Sequence, residues 1–327
     1  MNEKSIVTIP KNVLGQTSAI VPMMISRQGE KALKRFLEFF TATIRNKNTR
    51  QAYYRGISQF FDWCEGKNII DLAKIEPIVV AAYIEKITNE KSAPTVKQHL
   101  AGIRMLFDWL VNGQIVPTNP AHSVKGPKHV IEEGETPMPE PEEVRELFAS
   151  FDTTSIIGLR DRALIGVMTY TFARVSAVAK LKVEDYYPQG KQWYLKLDEK
   201  GGKALKPPVN RTLESYLDEY IEAAGIGEDK KGFLFRSTRG KSQTLTDRGM
   251  HRTDIYRMVN RRAKNAKVQT ATCNHSFRAR GITSYLQNGG SLETAQRMAG
   301  HSTPKTTKLY DRRNKEIDVA EVERIRI

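Results

Sequence analysis

The stretches "CNHSFRARGITSYL" (residues 273–286) and "AGHSTPKTTKLYDRR" (299–313) bring two of the chain's six histidines together with arginines, threonines and two tyrosines. His275 and Arg278 are spaced H-x-x-R, which on a helix sets both side chains on one face, where they address a single group. His301 follows Gly300, and Tyr310 lies nine residues further on. Cutting a phosphodiester without a metal asks for such a set. Guanidinium donors hold the nonbridging oxygens, a nucleophile attacks phosphorus, and an acid protonates the departing sugar oxygen. Two more cations join from upstream, Arg174 at a helix junction and Lys200 in the turn "EKGGK". Taken singly, each has an ordinary explanation: a surface ion pair, a helix-end charge, a solvated turn lysine, a core aromatic with its hydroxyl outward. Their order and spacing in one chain are what carry chemistry.

The charge of the chain points to the same kind of partner. Lys and Arg number 52 against 37 Asp and Glu, a net +15 over 327 residues. The excess is not a tail, since residues 1–127 carry 17 basic and 10 acidic side chains and the remainder 35 and 27. A basic surface spread over the whole chain fits a polyanion that spans both halves, nucleic acid before an anionic membrane. Cys64 and Cys273 follow neither metal nor redox spacing, so a reducing compartment is expected and a disulfide framework is not. No stretch nears the roughly 18 apolar residues of a membrane span, and residues 1–28 lack a signal-peptide layout. The expectation is a soluble, cytoplasmic protein without metal or other cofactor; no P-loop is found.

A chain of this length predicts two domains. Residues 1–28 show no sustained periodicity and are expected to form a loosely ordered lead-in. Helical spacing then sets in, with Leu33, Phe36, Leu37, Phe40 and Ile44 on one face, and Ala52, Tyr53, Ile57, Phe60 and Phe61 on the next. Asn48 or Thr49 is the expected cap of that second helix. Helices at about 76–87 and from Pro94 to Gly113 complete a four-helix domain over 29–118. Residues 119–136 are rich in Pro and Gly and read as a linker. Beyond it, 137–327 predicts helices at 141–150, 156–170 and 175–181. A β hairpin follows, alternating through Trp193, Leu195 and Leu197, turning at Gly201-Gly202 and returning toward Val209, and then helices again.

Together these features resemble the tyrosine recombinase, or phage integrase, family, and the resemblance runs over nearly the whole chain. "ARVSAVAKLKVEDY" matches the family's first-arginine motif, "EKGGK" its hairpin lysine, "HSFR" its H-x-L-R, and "AGHSTPKTTKLY" its L-G-H, threonine and tyrosine. The resemblance implies an all-α core-binding domain that contacts DNA, followed by a mainly α catalytic domain with a small antiparallel sheet. It implies that Arg174 and Arg278 clamp the scissile phosphate and that His301 adds a donor. Lys200 would act as general acid, His275 would assist deprotonation, and Tyr310 would form a 3′-phosphotyrosyl bond that a 5′ hydroxyl later reseals without ATP. The sequence departs from the pattern at Ala177, where an acidic residue is usual, at Phe172, where glycine is frequent, and at Phe277 and Ala299, where leucines stand.

The same resemblance implies a clamp around double-stranded DNA with paired half-sites, and self-association to a dimer and tetramer. Expected DNA contacts are Lys97 and Arg104, facing away from the Val96, Leu100, Ile103 and Phe107 stripe, with Lys128 in the linker. In the second domain Arg252, Arg261 and Arg262 are expected to be displayed opposite Ile255 and Val259. The tail "DRRNKEIDVAEVERIRI" sets Ile317, Val319, Val322, Ile325 and Ile327 among charges, and the family commonly docks such a tail on a neighbouring protomer. The short lead-in leads to the expectation of a simple recombinase, without an added arm-binding domain. Two other functions fit the same residues: a type IB topoisomerase, and a DNA-binding architectural protein with a weakened site, for which Ala177 speaks.

Overall fold

The computed structural model describes residues 5–8, 18–129, 134–198, 202, 204–240, 242–312, 322–323 and 325. The chain divides into two compact units, 1–130 and 131–327.

In the first unit, β1 (Ser5–Thr8) and β2 (Ser18–Val21) pair antiparallel, Ser5 opposite Val21. Over residues 18–28 the expected loose lead-in is corrected. Val21 and, on the short helix α1 (Met23–Ser26), Met24 and Ile25 are fully buried in the helical core. Segments of four residues are too short to show a period, so this packing leaves no signature in the sequence. Helix α2 (Glu30–Glu38) runs into a π turn over Phe39–Thr43. The extra residue of a π turn shifts the phase, so Phe39 turns inward beside Phe40 and both are buried, while Leu33 and Leu37 are only half-buried. Asn46, rather than Asn48 or Thr49, caps α3 (Lys47–Gly66): its side-chain oxygen accepts from the backbone N–H groups of Asn48 and Thr49, at 2.9 and 3.2 Å. Helices α4 (Pro77–Thr88) and α5 (Ala93–Asn112) close the bundle, each with proline in its first turn, where no intrahelical donor is lost. Val96, Leu100, Ile103 and Phe107 of α5 all lie in the core, and burial of such side chains contributes about 1.5–3 kcal/mol each. The first residues of the expected linker belong to this unit as well. The Asn119 amide donates to the Arg104 carbonyl at 3.0 Å and to Asp108 at 2.7 Å, and Ala121 is fully buried.

The second unit is a helical body carrying short hairpins. Helix α6 (Pro141–Ala149) leads to α7 (Ile156–Tyr170), whose apolar residues are buried on nearly every side, and a short α8 (Val175–Val178) follows. Strands β3 (Tyr186–Gln189) and β4 (Gln192–Leu195) pair through a turn at Gly190, one hairpin earlier than the expected turn. β5 (Leu197–Asp198) then pairs with β6 (Ala204–Leu205), and the return runs on beside β4, Val209 N–H donating to the Trp193 carbonyl at 2.8 Å. After α9 (Arg211–Ala224) a further hairpin, β7 (Arg236–Thr238) with β8 (Leu245–Gly249), replaces the helical continuation expected there. Its residues are mostly polar, so the alternation that marks a half-buried strand is missing. Helices α10 (Arg252–Asn265), α11 (Asn274–Gln287), α12 (Leu292–Ala299) and α13 (Pro304–Lys308) complete the unit. Among the described residues no helix is long and apolar enough to cross a membrane, and no three His, Cys, Asp or Glu side chains group as a metal site.

A buried carboxylate holds this unit together. Asp161, on α7, has no exposed surface and receives Arg160 at 2.7 Å on one oxygen, with Arg262 at 2.8 Å and Arg261 at 3.7 Å on the other. Arg160 in turn donates to the Arg236 carbonyl at 2.8 Å. Asp161 and Arg160 together thereby fasten α7, the β7 strand and α10. Arg262 is therefore not displayed, as the helical spacing predicted: its guanidinium bends back to Asp161.

Candidate active site

Two turns aim the site. Tyr170 ends α7, and Phe172 then takes φ +57°, the left-handed region that L side chains adopt at about 1–2 kcal/mol. That conformation explains why glycine is frequent at this place in the pattern. Phe172 holds it with its ring buried against Tyr285, centroids 6.1 Å apart, and its carbonyl accepts from the Arg278 guanidinium. Arg174 follows as the N-cap residue of α8, half-buried. The second turn is Gly300 at φ +58°, which ends α12 and reverses the chain so that His301 points back at α11.

Arg278 is the hub, 1% exposed on α11. Its guanidinium donates to the carbonyls of Phe172 and Ala299, the latter at 2.5 Å, and to His301 Nε2 at 2.8 Å. Burying a guanidinium costs several kcal/mol unless its hydrogens are matched, and these acceptors take three of its five. Because Arg278 only donates, His301 Nε2 accepts, and the proton of the neutral ring sits on Nδ1, 2.9 Å from the Thr307 hydroxyl. Burial, then the positive charges of Arg278, Arg174 and His275, lower the His301 pKa to about 4. The Tyr310 ring stacks on the imidazole, centroids 5.8 Å apart and planes 12° from parallel. The Tyr310 backbone carbonyl accepts from Thr283, on α11, at 2.8 Å.

Four of the other five expected catalytic residues therefore meet around His301: Arg174, His275, Arg278 and Tyr310. Lys200, with Lys203, lies outside the described residues. H-x-x-R does not present a uniform face: His275, in the first turn of α11, is exposed, while Arg278 is buried. Ala177, in the usual acidic position, is buried in the apolar core beside Val178. The loop that enters α11 is instead held by Glu143 of α6. Burial opposes the charge of that carboxylate, but hydrogen bonds from the backbone of Glu140, the hydroxyl and N–H of Thr270, and the N–H of Gln269 bring its pKa down to about 2. Nothing in the sequence singles out Glu143 beyond a helix-start position. Thr307 sits inside the motif that carries Tyr310.

Of the expected DNA contacts, Lys97, Lys128 and Arg252 are exposed. Arg104 is corrected: it is half-buried, and its guanidinium donates to the carbonyls of Ala121, at 3.0 Å, and Val124, stapling the chain that leaves α5. The long side chain lets a residue on the outer face reach back.

The phage integrase family model matches residues 139–316, and that of the phage integrase N-terminal SAM-like domain matches residues 32–115. The chain belongs to the phage integrase family. This tyrosine recombinase is similar to the tyrosine recombinase XerC of Leptospira interrogans, 28% identical over 293 residues, 88% of this chain and 91% of the relative. It is also similar to XerD of Listeria monocytogenes, 25% identical over 269 residues, 80% of this chain and 87% of the relative. Its fold is that of XerH bound to difH substrate in a pre-cleavage complex, with TM-score 0.64 and 16% identity over 91% of this chain and 85% of that one. It is equally that of a lambda integrase dimer bound to a COC′ core site, with TM-score 0.67 and 16% identity over 88% and 98%. The two-domain fold expected of a tyrosine recombinase, a helical first domain and a catalytic domain with small antiparallel sheets, is the one found.

Proposed function

We propose that this tyrosine recombinase cuts and rejoins double-stranded DNA at paired half-sites through a 3′-phosphotyrosyl bond on Tyr310, using neither metal nor ATP. The observation that carries the proposal is the convergence of Arg278, Arg174 and His275 on His301, whose ring stacks on Tyr310. A scissile phosphate entering there displaces the Arg278–His301 contact. Arg278 and Arg174 then take its nonbridging oxygens, holding the trigonal-bipyramidal charge where it develops. In the DNA-free chain His301 Nε2 is an acceptor. It becomes a donor to phosphate when the Thr307 hydroxyl rotates to donate to Nδ1 and the ring proton moves to Nε2. Tyr310 Oη attacks phosphorus, its proton passing toward His275, and the 5′ oxygen leaves with a proton from Lys200. The new phosphodiester conserves the energy of the old one, so a 5′ hydroxyl of the partner strand reverses the step without a nucleotide.

Lys97, Lys128 and Arg252 are proposed phosphate contacts, and a dimer and then a tetramer on two duplexes is the proposed assembly. Solved structures of this fold include a lambda integrase tetramer bound to a Holliday junction, TM-score 0.67 at 16% identity, which supports that arrangement. The buried Ala177 favours a second reading, a DNA-binding protein with a weak site. A nicked suicide substrate in EDTA separates the two. Covalent trapping of wild-type protein is expected, and binding without trapping would favour the scaffold.

A further inference from the structure

We propose that Gly134 is a positioning residue for the nucleophile: the segment that enters the catalytic unit pins the chain immediately before Tyr310. The inference rests on the proposed role of Tyr310. Gly134 N–H donates to the Leu309 carbonyl at 2.9 Å, and the Arg312 guanidinium reaches the Gly134 carbonyl at 3.4 Å, so the contacts bracket Tyr310 on both sides. From the opposite direction Thr283 holds the Tyr310 carbonyl at 2.8 Å. The nucleophile's backbone is thus held between α11 and the entering segment. Tyr310 itself sits past the C-terminus of a helix of only five residues, Pro304–Lys308, which is too short to fix a side chain by its own rigidity.

Glycine is required by the approach. A Cβ on residue 134 would lie 2.7 Å from the Leu309 carbonyl oxygen, a backbone atom that cannot swing aside as a side chain does. The same entering segment makes a second attachment to the site. Glu143, nine residues on, holds the Gln269–Thr270 loop that leads into the helix bearing His275 and Arg278. Linker and active site are therefore joined at the nucleophile and at the phosphate clamp independently. In-line attack tolerates little error, since a misplacement of about 1 Å costs about a hundredfold in rate.

The test is Gly134→Ala, compared with wild type by single-turnover trapping on the nicked suicide substrate, half-site affinity by gel shift, and thermal melting. The expected result is a ten- to hundredfold slower trapping step, with half-site affinity within about twofold and an unchanged melt. A substrate whose 5′ leaving oxygen is sulfur is expected not to restore the rate, because attack rather than departure is impaired. Arg312→Ala, which leaves the glycine in place, is expected to slow the same step by a smaller factor. Trapping at the wild-type rate by Gly134→Ala overturns the proposal, as does a loss of melting temperature and half-site binding in proportion to the loss of rate. Failure of wild-type protein to trap at all would refute the nucleophile assignment, and this proposal with it; trapping by both proteins alike refutes this one alone.

Discussion

Acidification should act on the site through His301 in a way that can be calculated. The unfolded chain binds a proton on this ring near the ordinary 6.5, and the folded chain near 4. Between those values unfolding takes up a proton, so stability falls as pH falls, and above 6.5 the ring contributes nothing. The gap corresponds to about 3 kcal/mol, fully lost at pH 4 and below. The ring is 9% exposed, with Arg278 2.8 Å from Nε2, so the penalty is not screened away by solvent. Imidazole resonances of labelled protein, with His301→Gln supplying the assignment, should show one histidine that does not titrate between pH 8 and 5. The loss of stability from pH 7 to 4.5 should be smaller in His301→Gln by about 2–3 kcal/mol. Bound DNA reverses the direction, because a phosphate offsets the field of Arg278, Arg174 and His275 and raises the pKa. A His301 midpoint near 6.5 in free protein, or an unaltered pH slope in the variant, would refute the reasoning.

Three further outcomes are expected. Asp161→Asn should destabilise the second unit by about 3–5 kcal/mol in denaturant melts, because it leaves the buried Arg160 without its charge partner; a loss under 1 kcal/mol would mean the arginines find other acceptors. Lys200→Ala should slow cleavage by about a hundredfold or more, with a 5′-thio leaving group largely restoring it, since a thiolate leaves unprotonated; absence of rescue would shift the acid role to Lys203. Truncation after Asn314 should leave binding to one half-site nearly intact but weaken cooperative filling of two and abolish recombination. Val322 and Ile325 of that tail are exposed, at 54% and 68%. Gel-shift titration on one and two half-sites reads this out, and unchanged cooperativity with full recombination would contradict tail exchange.

The helices and the site came through in the sequence to different degrees, for physical reasons. The α5 core face was legible because Val96, Leu100, Ile103 and Phe107 keep an uninterrupted helical period. The inward turn of Phe39 was not, because a π turn changes the period where the reading assumed it constant. The hairpin of Arg236–Thr238 and Leu245–Gly249 escaped notice because it packs few apolar side chains. Helical spacing predicts where a Cβ points but not where a guanidinium ends. Arg104 and Arg262, both assigned to outer faces, return to a pair of carbonyls and a buried carboxylate. The expected catalytic set was legible as a pattern of residue types, yet not its layering. Nothing in H-x-x-R says that Arg278 is buried under His301 while His275 stays in solvent. Asp161, within an apolar helix, and Gly134, in a proline-rich stretch, act through partners 101 and 175 residues away, and single-sequence periodicity carries no information at that range.

The nucleophile itself can be identified directly. Protein trapped on the nicked suicide substrate, digested with protease and nuclease and analysed by mass spectrometry, should yield one peptide carrying a 3′-phosphonucleotide, with fragmentation placing it on Tyr310 and no such peptide from Tyr310→Phe. A nucleotide adduct on another residue, or an undiminished adduct in Tyr310→Phe, would contradict cleavage by the tyrosine that stacks on His301.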